Sequence, residues 1–318
     1  MATSRARPSR ARLLALAGTF AALAGSAQAR TLEVGEGKAY KLPSLAAAAA
    51  RDGDTVRIFP GEYFDCATWQ ASKLVVEGVG DADKVVITDK SCGGKALFIT
   101  AGADVTIRNL TLTRARVPDA NGAGIRGEGE KLLVEGVRFI NDQNGILTGY
   151  EGSTVIVRNS VFERNGTCEK SCSHAVYVGN SKLLRIEGSQ FSDTRQGHHI
   201  KSRALRTEII GNTITDGPNG TASYLIDIPN GGSAVIRGNT MEKGPRAENR
   251  STAIEIGAEG VTQPTRELLI EDNTFRNNGG YDTFFVSNFT ATDAMVRGNR
   301  ITGRVKPLHG DGEVVAAN

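Results

Sequence analysis

The chain has 318 residues, and its 38 Lys and Arg against 35 Asp and Glu give a formal net charge of +3. Four of these basic residues, Arg5, Arg7, Arg10 and Arg12, precede residue 30, so the rest of the chain carries 34 − 35 = −1. This near-neutral balance excludes the strongly basic surface typical of nucleic-acid-binding proteins, and we expect no nucleic acid as a partner.

Residues 1–29 are predicted to be a secretory signal peptide. The arginines form a basic start, Leu13 to Ala24 form an apolar run, and Ala27-Gln28-Ala29 matches a cleavage site. The apolar run is too short and too rich in small residues to span a membrane, and no second long apolar stretch follows it. We therefore expect an exported bacterial protein, periplasmic or extracellular, whose mature chain has no membrane span.

Four cysteines follow the predicted signal: Cys66, Cys92, Cys168 and Cys172. An even number in an exported chain favours disulfides, and their order along the chain suggests the pairs Cys66–Cys92 and Cys168–Cys172. Zinc binding is the weaker interpretation, because the sequence contains no C-x2-C pair.

A short phrase, hydrophobic-x-Gly/Asn/Asp-x-x-hydrophobic, recurs along most of the chain. Its central residues are Asn109, Gly136, Asn159, Gly188, Gly211, Gly238, Asp272 and Gly298. A fixed phrase with spacers of variable length is typical of stacked structural units joined by unequal loops. Gly, Asn and Asp enter the left-handed backbone region at low cost, so we predict a positive φ at each of these bends.

Two short strands flank each bend, and a third strand is predicted between successive phrases. Alternating apolar residues before the bend, such as Val105 and Ile107, indicate one buried face. The residues of the third strand that we expect to point inward are Ile125, Ile146, Val176, Ile200, Ile226, Ile254 and Phe284. A β-sandwich would not require a left-handed residue in every unit, so the pattern indicates a parallel β-helix.

The repeat resembles that of the right-handed parallel β-helix superfamily, the pectin-lyase-like fold, over about residues 50 to 303. The stretch Asp52 to Tyr63 is also similar to the first coil of that family. The expected fold class is therefore all-β, a right-handed parallel β-helix (a solenoid) of roughly ten coils. We place the β-helix domain at residues 30–306, with an N-terminal cap at 31–50 and a loose C-terminal tail at 307–318. The run Ala46 to Ala50 predicts a short helix that covers the open end of the core.

The resemblance implies that chemistry occurs on the outer face of the sheet formed by the third strands. Because side chains alternate along a strand, the residue after each inward one should point outward. That outward column is Arg126, Leu147, Tyr177, Lys201, Asp227, Glu255 and Phe285. His199 is expected in the outward column just before it, while His198 and His174 are expected in the core. Arg203 follows the strand closely enough to lie near Lys201.

These side chains suit chemistry on an acidic polysaccharide. Lys, Arg or Ca²⁺ can neutralise the carboxylate of a uronate, which makes the C5 proton acidic enough for a nearby base to remove. The catalytic candidates are Lys201, Arg203, His199 and Tyr177. Asp227 and Glu255 are the candidate ligands of Ca²⁺, the one cofactor predicted, because this ion prefers oxygen donors. Several β-helix lyase families combine such a Lys/Arg pair with acidic Ca²⁺ ligands, so the resemblance implies a polysaccharide lyase.

Other functions stay open at the level of the sequence. The same side chains can form a solvated ladder of ion pairs that contributes little to stability. The chain would then be a non-catalytic carbohydrate-binding or cell-envelope protein, because a β-helix alone does not imply catalysis. A glycoside hydrolase on the same fold is a further alternative. Polygalacturonase-type hydrolases need clustered aspartates, however, and this sequence contains no Asp-Asp pair. The oligomeric state is not predicted.

Overall fold

The computed structural model describes residues 1–4 and 28–316. The predicted signal peptide falls mainly on residues 5–27, which lie outside the described residues. The described chain winds into a parallel β-helix whose three sheets have 12, 10 and 10 strands. The number of strands in each sheet confirms a solenoid of the predicted size. Within residues 1–4 and 28–316, no helix has both the length and the apolar character needed to cross a membrane.

Each complete coil contributes one strand to each sheet, and Thr31–Val34 and Gly312–Val315 add one further strand at either end of sheet 1. Sheet 1 contains Thr31–Val34, Thr55–Ile58, Leu74–Gly78, Asp104–Arg108, Lys131–Glu135, Thr154–Arg158, Leu183–Glu187, Arg206–Ile210, Ser233–Arg237, Leu268–Glu271, Ala294–Arg297 and Gly312–Val315. Sheet 2 contains Gly61–Tyr63, Val85–Thr88, Thr111–Thr113, Arg138–Ile140, Val161–Glu163, Gln190–Ser192, Thr213–Thr215, Thr240–Lys243, Thr274–Asn277 and Arg300–Thr302. Sheet 3 contains Ala67–Trp69, Ala96–Thr100, Ala123–Gly127, Asn144–Thr148, Val176–Val178, His198–Ser202, Tyr224–Ile228, Thr252–Ile256, Thr283–Asn288 and Val305–His309.

The repeated phrase forms the bend between sheets 1 and 2. All eight predicted bend residues have a positive φ, between 47° and 65°, which confirms the prediction. The apolar residue three positions later points into the core, where Phe139, Phe162 and Phe191 stack with ring centroids 4.7 and 4.5 Å apart. The bends therefore keep the coils in register, and the stacked rings fill the space between the sheets.

The residue directly after the bend changes from apolar to amide along the solenoid. Asn212, Asn239, Asn273 and Asn299 occupy this position in four successive coils. The Nδ2 group of Asn239 donates to Asn273 Oδ1 and to the carbonyl of Ile209, both at 2.9 Å. Equivalent bonds join the other members, so this internal ladder of asparagines satisfies its buried amides from coil to coil.

The two ends of the β-helix differ from each other. The helix Pro43–Ala49 covers the N-terminal end and buries Ala46 and Ala47 in the core, which confirms the predicted cap. A single 3₁₀ turn, Ala82–Lys84, lies on a loop among the described residues. At the other end, Val305–His309 and Gly312–Val315 pair in parallel with the preceding coil. The loose tail predicted from residue 307 is therefore wrong, because these exposed strands lack the apolar alternation used to recognise the others.

Both predicted disulfides are present. Cys66–Cys92 has a Cα–Cα distance of 5.4 Å and joins adjacent coils beside sheet 3, and Cys168–Cys172 closes a loop of one coil. No cysteine is free within the described part of the chain. Two disulfides are compatible with export into an oxidising compartment.

The strands of sheet 3 depart from simple alternation, because two successive residues in each strand point inward. Leu225 and Ile226 both lie in the hydrophobic core, as do Phe285 and Val286. The residue before each such pair therefore faces outward. In the last long strand, Val286 and Ser287 pair with Ile254 and Glu255, so the predicted inward Phe284 is on the outer side and the predicted outward Phe285 is in the core. The extra inward residue shifts the alternation of the strand by one position. Side chains that precede it therefore point to the side opposite to the one predicted.

Candidate functional site

The outer face of sheet 3 aligns the predicted row of polar side chains. Tyr177 pairs with Lys201, Lys201 with Asp227, and Asp227 with Glu255, each on the next coil. This pairing confirms the predicted order of the four residues on successive coils. With two more residues they form what we call the central cluster: Tyr177, Lys201, Arg203, Asp227, Glu255 and Glu259.

Lys201 and Asp227 form a buried ion pair within the central cluster. Lys201 Nζ lies 2.8 Å from Asp227 Oδ2, and the two side chains are 9% and 2% exposed. Burial acts against the charged form of Lys201, but Asp227 and Glu259 raise its pKa above the ordinary value. Burial also raises the pKa of Asp227 to about 6, against the opposing effect of Lys201. The pair therefore holds a protonated amine beside a carboxyl group that titrates close to neutral pH.

Glu259 supplies a carboxylate from the loop after strand Thr252–Ile256. Its Oε1 lies 2.7 Å from Lys201 Nζ, and its Oε2 lies 2.6 Å from Arg203 Nη2. Burial opposes its ionisation, but these two cations lower its pKa. The loop turns at Gly257 and Gly260, where φ is 85° and 96°, a region that glycine enters most easily. A single carboxylate, 48% exposed, thus bridges both basic side chains of the cluster.

Arg203 connects this loop to Tyr177. Its Nε donates to Tyr177 Oη at 3.0 Å, and its Nη1 donates to Asn230 Oδ1. Bonds to Tyr177, Asn230 and Glu259 hold the planar guanidinium in one orientation. The Tyr177 hydroxyl consequently lies beside a fixed positive charge on the outer face of the sheet.

Two histidines that we expected in the core lie instead on the outer side of sheet 3. The rings of His174, His198 and Tyr224 stack with centroids 4.7 and 5.0 Å apart. The backbone N–H of His198 donates to His174 Nδ1 at 3.0 Å, and that of Tyr224 donates to His198 Nδ1 at 3.2 Å. These bonds place the proton of each neutral ring on Nε2, and His198 Nε2 faces Asp227 Oδ2 at 3.3 Å.

Both histidines remain uncharged at neutral pH. Burial, together with the positive charges of Lys201 and Arg203, lowers the pKa of His174 to about 3. Burial, His174 and Lys201 lower the pKa of His198 well below its ordinary value. His198 is therefore a neutral ring next to Asp227, whose carboxylate faces Lys201.

His199 does not belong to the central cluster. Its side chain is fully buried, and its ring meets that of the core residue Phe191 edge-on. Its Nδ1 lies 2.8 Å from Thr194 Oγ1, and its Nε2 lies 2.9 Å from Asp216 Oδ1. The prediction that His199 faces outward is wrong, because His199 is the first of the two successive inward residues in its strand.

The carboxylates predicted to bind Ca²⁺ do not make a suitable donor set. Asp227 Oδ2 faces the ammonium of Lys201, which stands where a metal ion would lie, while Oδ1 is buried without a hydrogen-bond partner. Burial raises the pKa of Glu255, against the effect of a hydrogen bond with Tyr224. Residues 1–4 and 28–316 contain no group of three or more His, Cys, Asp or Glu arranged to hold a metal. Since Ca²⁺ takes six to eight oxygen ligands, the cluster fits an ammonium better than a calcium ion.

Comparisons with known proteins agree with this architecture. The sequence model of a family described as "Right handed beta helix region" matches residues 164–309. No curated protein matches the sequence at a significant level. The solved structure of an alginate lyase from Paenibacillus sp. str. FPU-7 is similar, with a TM-score of 0.69 and 20% identity over 91% of this chain and 99% of that chain.

A second solved structure, the A-module of a mannuronan C-5 epimerase from Azotobacter vinelandii, has 17% identity and a TM-score of 0.42. The alignment covers 86% of this chain and 92% of that chain. Identities this low concern the fold and not the activity. The comparisons therefore show that the chain has a right-handed parallel β-helix fold.

Proposed function

We propose that this protein is an exported polysaccharide lyase that cleaves a uronate-containing polymer by β-elimination. One observation carries the proposal: the Glu259 carboxylate lies 2.7 Å from Lys201 and 2.6 Å from Arg203. The two cations are therefore spaced to hold one carboxylate between them. A uronate unit presents such a group on C5, the carbon that must lose its proton in β-elimination.

In the proposed reaction, the substrate carboxylate replaces Glu259 beside Arg203 and Lys201. Neutralising that carboxylate stabilises the negative charge that develops when the C5 proton leaves. Tyr177, reacting as its phenolate, takes this proton at Oη, which lies 3.0 Å from the positively charged Arg203 Nε. The C5–H electron pair forms a C4=C5 double bond, the C4–O bond breaks, and the leaving oxygen takes a proton from the Lys201 ammonium.

Asp227 and His198 act through Lys201 and do not touch the reacting atoms. Asp227 keeps the amine protonated and oriented, and the neutral His198 lies 3.3 Å from the same carboxylate oxygen. Both are positioning residues in this scheme. The scheme routes no step through a metal ion, so activity should survive treatment with a chelator.

The comparisons support the coarser part of the proposal. A protein named as an alginate lyase shares the fold along nearly its whole length. The predicted signal peptide and the two disulfides favour an exported protein, and acidic polysaccharides are the expected partners.

The direct test is an ultraviolet assay for unsaturated product with alginate, pectate and glycosaminoglycans. We expect product from at least one polymer, and Lys201→Ala and Arg203→Ala should each lower kcat/KM about 100-fold or more. Arg158→Ala, on the outside of sheet 1, is the matched control and should leave kcat/KM unchanged. Activity that survives both cluster variants would rule out the residue assignment, and absence of product from every polymer would reject the lyase.

A non-catalytic carbohydrate-binding protein is the second candidate. The observation that favours it is the low exposure of Lys201, whose side chain is only 9% exposed beneath Glu259. Tight binding of an acidic polymer without formation of unsaturated product would support this alternative.

A further inference from the structure

A cavity of about 490 Å³ opens near the C-terminal end of the β-helix, on the strand that follows Glu255 of the central cluster. Its walls come mainly from the last two strands of sheet 3 and include Phe284, Arg304 and Lys306. The cavity was not predicted, because Phe284 was expected in the core. We call it the distal cavity.

The distal cavity lies on the same outer face as the central cluster. His198 pairs with Tyr224, Thr252 pairs with Phe284, and Phe284 pairs with Lys306. Since Tyr224 and Thr252 belong to neighbouring strands in the same register, one continuous line of outward positions joins the two places. Three strand spacings, or about 14 Å, separate His198 from Phe284.

The side chains of the distal cavity combine an apolar ring with an unpaired positive charge. Lys306 Nζ lies 5.6 Å from the centroid of the partly exposed Phe284 ring. No salt bridge involves Lys306 within the described chain, whereas Arg304 is held by Asp282 through bonds of 2.8 and 2.9 Å. An aromatic ring offers a surface for the apolar C–H face of a sugar, and an ammonium offers a partner for a carboxylate.

We propose that the distal cavity is a second binding subsite, which takes an acidic sugar unit of the polymer that occupies the central cluster. Lys306 selects a charged unit over a neutral one, and Phe284 supplies the contact area. Lys201 lies on the same strand as His198, three strand spacings or about 14 Å from the strand of Phe284, so only a chain of several units reaches from Lys201 to the distal cavity. This inference rests on the proposed function for the identity of the polymer, but it concerns binding and not bond cleavage.

If one polymer chain occupies both the central cluster and the distal cavity, the affinity of the protein for the polymer should rise with the length of that chain. When one chain occupies both sites, the second contact becomes intramolecular and adds affinity without a second loss of translational freedom. The contribution of Lys306 should weaken as salt is added, because the amine is exposed to solvent. The contribution of the Phe284 ring should remain.

The test compares the binding of uronate oligosaccharides of two and eight units from alginate and pectate. Calorimetry in a Tyr177→Phe background avoids turnover, and the eight-unit chain should bind about tenfold more tightly than the two-unit chain. Lys306→Ala should remove most of this length dependence, whereas Lys131→Ala on the outside of sheet 1 should preserve it. Phe284→Leu keeps apolar bulk beside His309 and tests the ring without emptying the space beneath it.

The outcomes separate this inference from the proposed function. A Lys306→Ala protein that keeps the full length dependence, or a parent protein that has none, overturns the distal subsite whatever the ultraviolet assay shows. Length dependence that Lys306→Ala abolishes supports the subsite even if no polymer yields unsaturated product, a result that would reject only the lyase.

Discussion

Two outer faces of this β-helix carry acidic and basic side chains on consecutive coils, in very different surroundings. On sheet 1, Arg158 and Glu187 lie 3.1 Å apart with side chains 43% and 25% exposed. On sheet 3, Lys201 and Asp227 lie 2.8 Å apart with side chains 9% and 2% exposed. Water screens the first pair, so its net effect is small, while burial makes each charge of the second pair depend on its partner.

The comparison shows why a row of charges in a sequence does not by itself identify a functional site. Both faces have ion pairs of similar length, but the pKa of a carboxyl group rises to about 6 only on sheet 3, where burial removes water from Asp227. Carboxyl groups that titrate near neutral pH are common in catalytic sites. Burial of both partners distinguishes the Lys201–Asp227 pair, because on sheet 1 even the buried Glu271 pairs with arginines that are 48% and 52% exposed.

Removing the charge of a carboxylate should lower kcat/KM most at Asp227, on the outer face of sheet 3. Asp227→Asn leaves Lys201 without its buried counter-charge, so we expect kcat/KM at pH 7 to fall about 100-fold. In the wild-type protein, Asp227 becomes protonated as pH falls through about 6, and activity should decline in that range. The variant should lack this acidic limb, which a pH profile of kcat/KM would reveal.

Glu187→Gln on sheet 1 is the control for that profile and should reproduce the wild-type curve. An acidic limb near pH 6 that persists in Asp227→Asn would assign the limb to another group.

A smaller effect is expected from Glu259, which competes with the substrate carboxylate for Lys201 and Arg203. Glu259→Gln keeps the size of the side chain and removes its charge, so KM for a uronate polymer should fall severalfold, about three- to tenfold. Glu267→Gln is the control, since Glu267 is also 48% exposed and pairs with Arg206 on the other face. If kcat falls and KM does not improve, Glu259 instead serves to hold the two cations in place.

The smallest effect is expected on sheet 1. Arg158→Ala should change the free energy of unfolding by less than about 1 kcal/mol, because the pair with Glu187 is exposed. Denaturant unfolding followed by circular dichroism measures this change. A loss of more than about 2 kcal/mol would mean that the sheet 1 ladder behaves as a coupled network.

Much of the fold could be predicted because each of the eight repeated phrases has a bend residue with a positive φ, a backbone conformation that few residue types adopt without steric strain. Few residues tolerate the left-handed bend, so Gly211 or Asp272 marks the register of its whole coil. Counting from the bends placed Tyr177, Lys201, Asp227 and Glu255 in one row, as the strand pairing confirms.

The remainder of the site had no comparable signal in the sequence. The two successive inward residues of sheet 3 carry no characteristic residue type, so His198 and His199 were given the wrong sides. Glu259 was missed because its contacts with Lys201 and Arg203 span 58 and 56 residues and come from a loop. The only hint was the pair of glycines around it, at 257 and 260, which permits the turn that returns the loop to the sheet.

The asparagine ladder has a consequence for how this chain can change length. Each amide of Asn212, Asn239 and Asn273 donates both to the next asparagine and to a backbone carbonyl, and Asn299 ends the ladder with a bond to a carbonyl alone. A whole coil from this half can therefore be duplicated or deleted in a gene, and the amides on either side meet again with the same geometry. The ladder makes this half of the molecule modular, so the span between the central cluster and the distal cavity can evolve in steps of one coil.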